Sequence, residues 1–426
     1  MTKLTDLTSG QQTALLSSTF SDGMAAFQNV NRALLTRILN ANDKAKISNP
    51  RTAGLYSGTV TITDSGATVP TETPAPGYFI TTTSAGVWHV VGGQIRSSGG
   101  PKASTVNATT DLSTWSRHIV RANSRYVTLR LRPTTVEYRF IVDGKYVSLA
   151  GTILGVTSGS TTQHVMLDFG TRADREIQVE CQQGAAGCFG AYVEPTGKMY
   201  PVERRNRVAG VFLGDSYIQG TLSVVSGTYN RADGVSAQFA DYIGMDIQAS
   251  GSGGTGWNTD NTTAYRFDER IFAGDLNLGV QKPEVLFFMA SINDRSREPA
   301  GVQANVLSGL TAARAQFPLA PIVVFGTANV PIGPQSGSPS LVTAENSVQA
   351  AIATLNDPLI VFIPMIGDPN GSWFTGTGKV GSTNNSGNND WAFGPDGSHL
   401  SNPEGVSYLA KRYADSAITA LANMLT

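Results

Sequence analysis

Ser216 stands in Gly214-Asp215-Ser216, directly after the apolar run Val208, Ala209, Val211, Phe212 and Leu213. Such a run reads as a parallel strand buried on both faces. Glycine lets the chain turn sharply at the carboxyl end of that strand, where open α/β sheets place their ligands. A serine there can be a nucleophile, provided a histidine is near enough to take its proton. The chain has four histidines, His89, His118, His164 and His399, and the last stands out. It closes Asp396-Gly397-Ser398-His399, just ahead of a final helical stretch. A separation of three lets both side chains emerge from one turn, so Asp396 can orient the imidazole and stabilise its charged form. Each short motif alone also suits a plain turn. In this order they point to acyl transfer through a serine nucleophile. The alternative serine signature Gly-x-Ser-x-Gly is missing, because position 218 is Ile218.

A chain of 426 residues is long for one core, and two or three domains are expected. The formal net charge is −1 with 15% charged residues, which leaves no basic footprint for nucleic acid. Forty-six glycines, with Ser, Thr and Asn throughout, suggest a loop-rich, β-containing protein of extracellular type. Met1-Thr2-Lys3-Leu4-Thr5-Asp6 lacks the apolar core of a signal peptide. No run approaches the roughly 18 apolar residues of a membrane span. An extracellular or virion-associated protein, released without a signal peptide and not bound to a membrane, is the expectation. Cys181 and Cys188 are the two cysteines, and both a small disulfide loop and buried free thiols fit them.

The elements that must position these groups fall into three regions. Residues 1–48 are read as a helical segment for oligomerisation or attachment. Within it, Leu15, Leu16, Phe20, Met24, Phe27, Val30, Leu34, Ile38 and Leu39 recur mostly at spacings of three and four over Gln11 to Asn42. They hold no strict heptad, so a long coiled coil is not supported. Residues 49–205 switch to period two and are read as a jelly-roll-like β-sandwich, a candidate carbohydrate-binding domain. Its strands are expected at Tyr56 to Thr63, Tyr126 to Leu131, Tyr138 to Val142, Tyr146 to Leu149, His164 to Phe169 and Glu176 to Glu180, with a hairpin turn at Asp143-Gly144. Trp88, His89 and Trp115 fit sugar stacking or, more simply, the core. Glu203 to Arg207 reads as a linker or a solvated edge.

In residues 206–426 strands and helices alternate. Strands are expected at Val285 to Met289, Ile322 to Phe325 and Leu359 to Ile363. Helices are expected at Val235 to Ile243 with Asp233 as N-cap, Val302 to Phe317, Val342 to Leu355 and Val406 to Met424. That alternation argues one parallel-sheet α/β domain.

Ala209 to Thr426 resembles the SGNH (GDSL-type) hydrolases, named for Ser, Gly, Asn and His in four separated blocks. Gly214-Asp215-Ser216 matches the first block and Ser252-Gly253-Gly254-Thr255 the second. Ser291-Ile292-Asn293-Asp294 matches the third, and Asp396-Gly397-Ser398-His399 the last. Ser291 stands where the family usually has glycine. The resemblance implies a flavodoxin-like parallel sheet, a catalytic triad of Ser216, His399 and Asp396, and an oxyanion hole. That hole would be lined by the Ser216 and Gly253 backbone N–H groups and the Asn293 side-chain amide. Metal is not required and no cofactor is expected; Asp215 is better read as part of the turn than as a ligand.

For the substrate, Gly367 to Asp390 is a Gly/Asn/Ser/Thr-rich insertion just ahead of the Asp-His pair. Trp373 lies within it, Trp391 follows it, and Trp257 follows the glycine block. These three aromatics suit the flat faces of sugar rings, and suit the core equally. No long apolar lid is visible to hold a lipid chain. A β-sandwich ahead of such a domain also resembles carbohydrate esterases. The reading is an O-deacetylase of an acetylated bacterial polysaccharide, on a homotrimeric phage tail fibre or tailspike. The alternatives are a lipolytic or aryl esterase and a carbohydrate-binding virion structural protein.

Overall fold

The computed structural model describes residues 9–73, 80–81, 87–92, 94–96, 100–102, 115–154, 162–181, 187–202, 207–223, 231–261, 265–277, 281–332 and 339–426. Of the charged run Glu203 to Arg207, residues 203–206 lie outside them. None of the described helices is long and apolar enough to cross a membrane.

Helix α1 (Ser9–Ser48) is longer at both ends than the pattern suggested. Its buried positions Asn31, Leu35, Ile38, Asn42 and Ala45 alternate steps of four and three, which is one stripe of a helix. That stripe packs on its own chain. Asn42 Nδ2 donates to the Tyr242 carbonyl at 3.0 Å, and Arg37 pairs with Glu284.

The antiparallel region consists of β1 (Thr61–Asp64), β2 (Ile80–Thr81), β3 (His89–Val91), β4 (Gln94–Arg96), β5 (Gly100–Lys102), β6 (Ser116–Leu131), β7 (Thr134–Val142), β8 (Lys145–Tyr146), β9 (Thr152–Leu154), β10 (Gln163–Cys181), β11 (Cys188–Val193) and β12 (Lys198–Tyr200). All but the β4–β5 hairpin join one hydrogen-bonded network. Two stretches expected to be separate strands, His164 to Phe169 and Glu176 to Glu180, are the two ends of β10. Its register against β6 shifts between Asp168 and Ala173. On one side of that shift the neighbours are β1 and β11; on the other they are β7, β3 and β12. The two halves share one apolar core, which includes Val120, Leu129, Phe140, Leu167 and Val179. Asp143-Gly144 makes the β7–β8 turn as expected, with positive φ at both residues. The strand expected from Tyr56 is formed only over β1. Cys181 and Cys188 are both buried and not joined by a disulfide, and Trp88 and Trp115 belong to the core.

The C-terminal region is a parallel sheet of β13 (Ala209–Gly214), β14 (Asp246–Gly251), β15 (Val285–Met289), β16 (Ile322–Phe325) and β17 (Ile360–Ile363), in the order β14-β13-β15-β16-β17. This is the flavodoxin-like order. Its helices are α2 (Ser216–Gln219), α3 (Val235–Ile243), α4 (Phe267–Phe272), α5 (Pro299–Gln316), α6 (Leu341–Leu355), α7 (Asn389–Ala392) and α8 (Glu404–Leu425). Helices α3 and α8 pack with α1, while α4, α5 and α6 form a second group. The chain leaves β13 outward to β14, then returns across it to β15. The crevice opened by that reversal lies at the carboxyl ends of β13 and β15.

A buried charge network joins the two regions. Arg117 pairs with Glu180 and, across the boundary, with Asp241 of α3. Arg139 pairs with Glu180 and Asp233, and Arg51 with Asp233 and Asp241. Asp233 is therefore an ion-pair partner and not the N-cap of α3. Gly234 takes that place with no side-chain cap. Burial pushes the Glu180 carboxyl up, but Arg139, Arg117 and Arg51 outweigh it and hold it at about 2, against an ordinary 4.5. A depressed folded value means stability that is present above pH 4.5 and lost as pH falls toward 2. Thermal unfolding followed from pH 6 to pH 2 should show that loss. Glu180→Gln should make the slope shallower and cost about 3–5 kcal/mol at neutral pH, because it strands buried arginines. An unchanged slope would remove Glu180 from the acid transition.

Candidate active site

Ser216 is the first residue of α2, which begins where β13 ends. The turn is close-packed rather than left-handed. A Cβ on Gly214 would lie 2.4 Å from Ile218 Cγ1, and one on Gly251 would lie 2.0 Å from the Gln219 backbone nitrogen. The two glycines thus let α2 rest on the ends of β13 and β14. Arg270, itself buried, clamps those ends by donating to the Gly214 carbonyl at 3.0 Å and the Ser250 carbonyl at 2.6 Å. Asp215 caps α2 by accepting from Tyr217 N–H at 2.9 Å. Gly220 closes it in the left-handed region at φ 85°.

The turn that carries Asp396 and His399 is brought against this helix. His399 Nε2 lies 3.0 Å from Ser216 Oγ, and His399 Nδ1 lies 2.7 Å from Asp396 Oδ2. The backbone N–H groups of Ser398 and His399 both donate to Asp396 Oδ1 at 2.9 Å. Gly397 makes this possible with φ 68°. Burial raises the Asp396 carboxyl, but those N–H groups and the imidazole outweigh it and hold it below the usual carboxylate range. An ionised Asp396 accepts from Nδ1–H, which leaves Nε2 as the base facing Ser216. Tyr217 Oη donates to the Ser398 carbonyl at 2.7 Å and locks the turn to α2.

The other two blocks close around the same point. Gly253 sits beside the nucleophile, since a Cβ there would be 3.6 Å from Ser216 Cβ. Asn293 lies in the 3-10 turn Ile292–Ser296 after β15, and its Nδ2 donates to the Thr255 carbonyl at 2.9 Å. Asp294 is buried and accepts from Trp257 N, Asn258 N and Thr259 Oγ1. Burial pushes its carboxyl up to about 6 against those three donors.

Ser291, where the SGNH resemblance leads one to expect glycine, ties three blocks together. Its hydroxyl lies 2.7 Å from Asp215 Oδ2 and 2.9 Å from the Thr255 carbonyl, and it accepts from Asn293 N at 3.1 Å. Sequence reasoning noticed the departure without its consequence. It missed Gln219, Arg270 and Tyr217 altogether, because their roles depend on side chains meeting across distant segments.

Two of the three aromatics proposed to meet substrate are corrected. Trp257 is 0% exposed and donates Nε1 to the Met289 carbonyl, and Trp373 is 1% exposed and donates Nε1 to Asp368. Both are core residues whose one polar atom is satisfied internally. Trp391 is 42% exposed, with one ring edge against Tyr408. It is joined to the Asp396–His399 turn through Ser401, whose hydroxyl donates to its carbonyl.

Residues 212–401 match the model of the GDSL-like lipase/acylhydrolase family. The C-terminal domain is a hydrolase domain of this GDSL, SGNH esterase type. Comparison with curated proteins returns no match. Among solved structures the chain is similar to the salicylyl-acyltransferase SsfX3 from a tetracycline biosynthetic pathway. That match has a TM-score of 0.56 and 12% identity, and covers 81% of this chain and 97% of that one. A family two carbohydrate esterase from Clostridium thermocellum, in complex with cellohexaose, matches with a TM-score of 0.53 and 16% identity, over 78% and 99%. The acetyl xylan esterase Est2A from the rumen bacterium Butyrivibrio proteoclasticus matches with a TM-score of 0.50 and 13% identity, over 81% and 99%. At these identities the likeness is one of fold.

Replacing Ser291 by glycine removes the donor to a buried carboxylate and the acceptor for Asn293 N–H together. Ser291→Gly should lower kcat on a small ester by about ten- to a hundredfold, as expected for misplaced catalytic groups, and change KM much less. Steady-state kinetics beside a check of folding test this. A shift in KM alone would make Ser291 part of substrate binding.

Proposed function

We propose that the protein is a serine esterase that removes O-acetyl groups from a bacterial polysaccharide. The observation that carries the esterase part is the unbroken relay from Ser216 Oγ through His399 to Asp396. In this reading Ser216 Oγ attacks the ester carbonyl while its proton passes to His399 Nε2, and Asp396 stabilises the imidazolium. The tetrahedral intermediate collapses, and the sugar hydroxyl leaves with the proton from His399. Water then repeats the sequence on the acetyl-serine, with His399 again as base, and releases acetate. The Ser216 N–H has no intrahelical acceptor at the first position of α2 and is free to face the oxyanion. The Gly253 N–H and Asn293 Nδ2 complete the proposed hole.

Two things support the acetyl-polysaccharide part. The fold is shared with a carbohydrate esterase bound to cellohexaose and with an acetyl xylan esterase. The second is the polar rim. The segment from Gly367 to Asp390 carries no long apolar stretch, and Asn384, Asn385 and Thr375 are engaged with Asp390 and Asn388.

Burying each acyl CH₂ is worth about 0.8 kcal/mol, so an apolar groove would favour long chains steeply. Acetyl esters should instead be cut fastest, with octanoyl esters negligible, and acetate should be released from an acetylated bacterial polysaccharide. Ser216→Ala should abolish all of it without loss of folding. A preference for octanoyl esters with no acetate from any polysaccharide would leave a lipolytic enzyme. An active Ser216→Ala would remove the serine mechanism.

A further inference from the structure

The Gly253 N–H, one of the three proposed oxyanion donors, is already engaged. It donates to Gln219 Oε1 at 3.0 Å. Gln219 is the last residue of α2, one turn on from Ser216, and is 6% exposed. A Cβ on Gly253 would stand 2.8 Å from that oxygen and 3.6 Å from Ser216 Cβ, so the carboxamide oxygen sits close to the nucleophile. An N–H has one proton. It cannot serve Gln219 and a substrate oxyanion at full strength together.

We propose that Gln219 is a gate on the oxyanion hole. Its side-chain oxygen holds the Gly253 N–H in the absence of substrate, and the substrate's carbonyl oxygen displaces it. This rests on the esterase reading above. A partly buried N–H left without an acceptor is unfavourable, so an internal acceptor keeps it satisfied when no substrate is bound. A place for the displaced oxygen is at hand, because Thr221 Oγ1 already lies 3.4 Å from it. The oxygen that accumulates negative charge in the transition state is a stronger acceptor than a neutral amide, so the exchange favours the transition state over the bound ground state. The position also makes Gln219 a filter. A group that cannot push the carboxamide aside meets only the Ser216 and Asn293 donors.

The test removes the gate in two independent ways. Gln219→Ala deletes the competing acceptor. Gly253→Ala should displace it, since the new methyl would crowd the flexible end of Gln219 while remaining in ordinary contact with Ser216. Each should raise kcat/KM on p-nitrophenyl acetate about two- to tenfold, the size of one neutral hydrogen bond. The double variant should gain no more than either alone. Gln219→Glu keeps the shape and places a carboxylate on the same N–H. Its rate relative to the parent should fall as pH rises through the carboxylate's titration, a readout that holds even if the alanine variants fold poorly. A Gln219→Ala rate that is unchanged or lower, or a Gln219→Glu ratio that does not move with pH, would overturn the gate. Ser216→Ala in the same assay separates the two readings. Residual activity there sinks the serine mechanism itself, whereas a dead Ser216→Ala beside an indifferent Gln219→Ala sinks the gate alone.

Discussion

Asp215 is fully buried, and its direct hydrogen-bond donors are the Ser291 hydroxyl and the Tyr217 N–H, with His399 and Arg270 adding a weaker electrostatic pull. A carboxylate in that position has to be met by donors or stay protonated. Burial does push its carboxyl up, while the Ser291 hydroxyl and Tyr217 N–H draw it back. Those two donors come from the turn after β15 and from α2. Satisfying one buried group therefore fixes the nucleophile's helix relative to the block that carries Asn293. Asn293 extends the same constraint to Thr255, two residues beyond Gly253, because its N–H donates to the Ser291 hydroxyl and its Nδ2 to the Thr255 carbonyl. Tyr217, held by Asp215 through its backbone, holds the Ser398 carbonyl through its phenol. All four chemical blocks are thus joined within three hydrogen bonds of a single carboxylate. This is why the site can be open to substrate without being loose.

The antiparallel region is part of that arrangement. Trp115, directly ahead of β6 and packed into the core of the parallel-sheet region, donates Nε1 to Ser236 Oγ at 3.1 Å, and Ser236 donates to the Ile218 carbonyl of α2 at 2.8 Å. Gly92 exchanges backbone hydrogen bonds with β14, donating to Ile247 O and accepting from Ala249 N, and so covers that strand's free edge. The paired arginines 51, 117 and 139 then bind the segment from Asp233 to Asp241, which packs on the C-cap of α2. Crowding at that contact is severe. A Cβ on Gly220 would lie 2.7 Å from the Arg231 carbonyl. Rotation of one region against the other would be felt at the nucleophile.

What was legible in the sequence follows from which residues supply their own burial. The central strands β15 and β16 were placed to the residue, because uninterrupted Val, Leu, Ile and Phe have no other reading. Strand β14 was not, since Asp246, Gln248 and Ser250 break the uninterrupted apolar run by which a buried parallel strand is recognised. They are buried because distant groups satisfy them. Gln248 donates to the Asp275 carbonyl, Ser250 donates to the Asp275 carboxylate, and Asp246 pairs with His89 and Arg207. The first half of β6 escaped for the same reason, since Arg117 and His118 are polar letters that only tertiary contacts make internal, and β10 reads as two strands because exposed Gly170 to Asp174 interrupt its alternation. The relay of Ser216, His399 and Asp396 was legible as motif and order. The glutamine beside it was not, because nothing in Tyr217-Ile218-Gln219 shows that its side chain reaches Gly253. Trp257 and Trp373 were misplaced because polar neighbours suggested a rim, whereas each of these two indoles finds its acceptor inside.

With Trp257 and Trp373 in the core, recognition of the proposed polymer has to come from elsewhere on the rim. The segment from Gly367 to Asp390 has no helix or strand until α7, yet its polar groups are largely paired with one another. Asp390 accepts from the Asn384 and Asn385 N–H groups, and Asn389 Nδ2 donates to the Gly376 and Asn329 carbonyls. Glu345 does the same at the start of the segment, accepting from Ile366 and Gly367 N–H. A loop ordered in this way has little entropy left to lose when a ligand binds. Lys379, on that loop, packs against Gly397 within the Asp396–His399 turn. A wall that is already in place beside the base, with Trp391 exposed near it, suits a chain laid across an open site. It gives no reason to expect a lid that closes over a buried acyl tail.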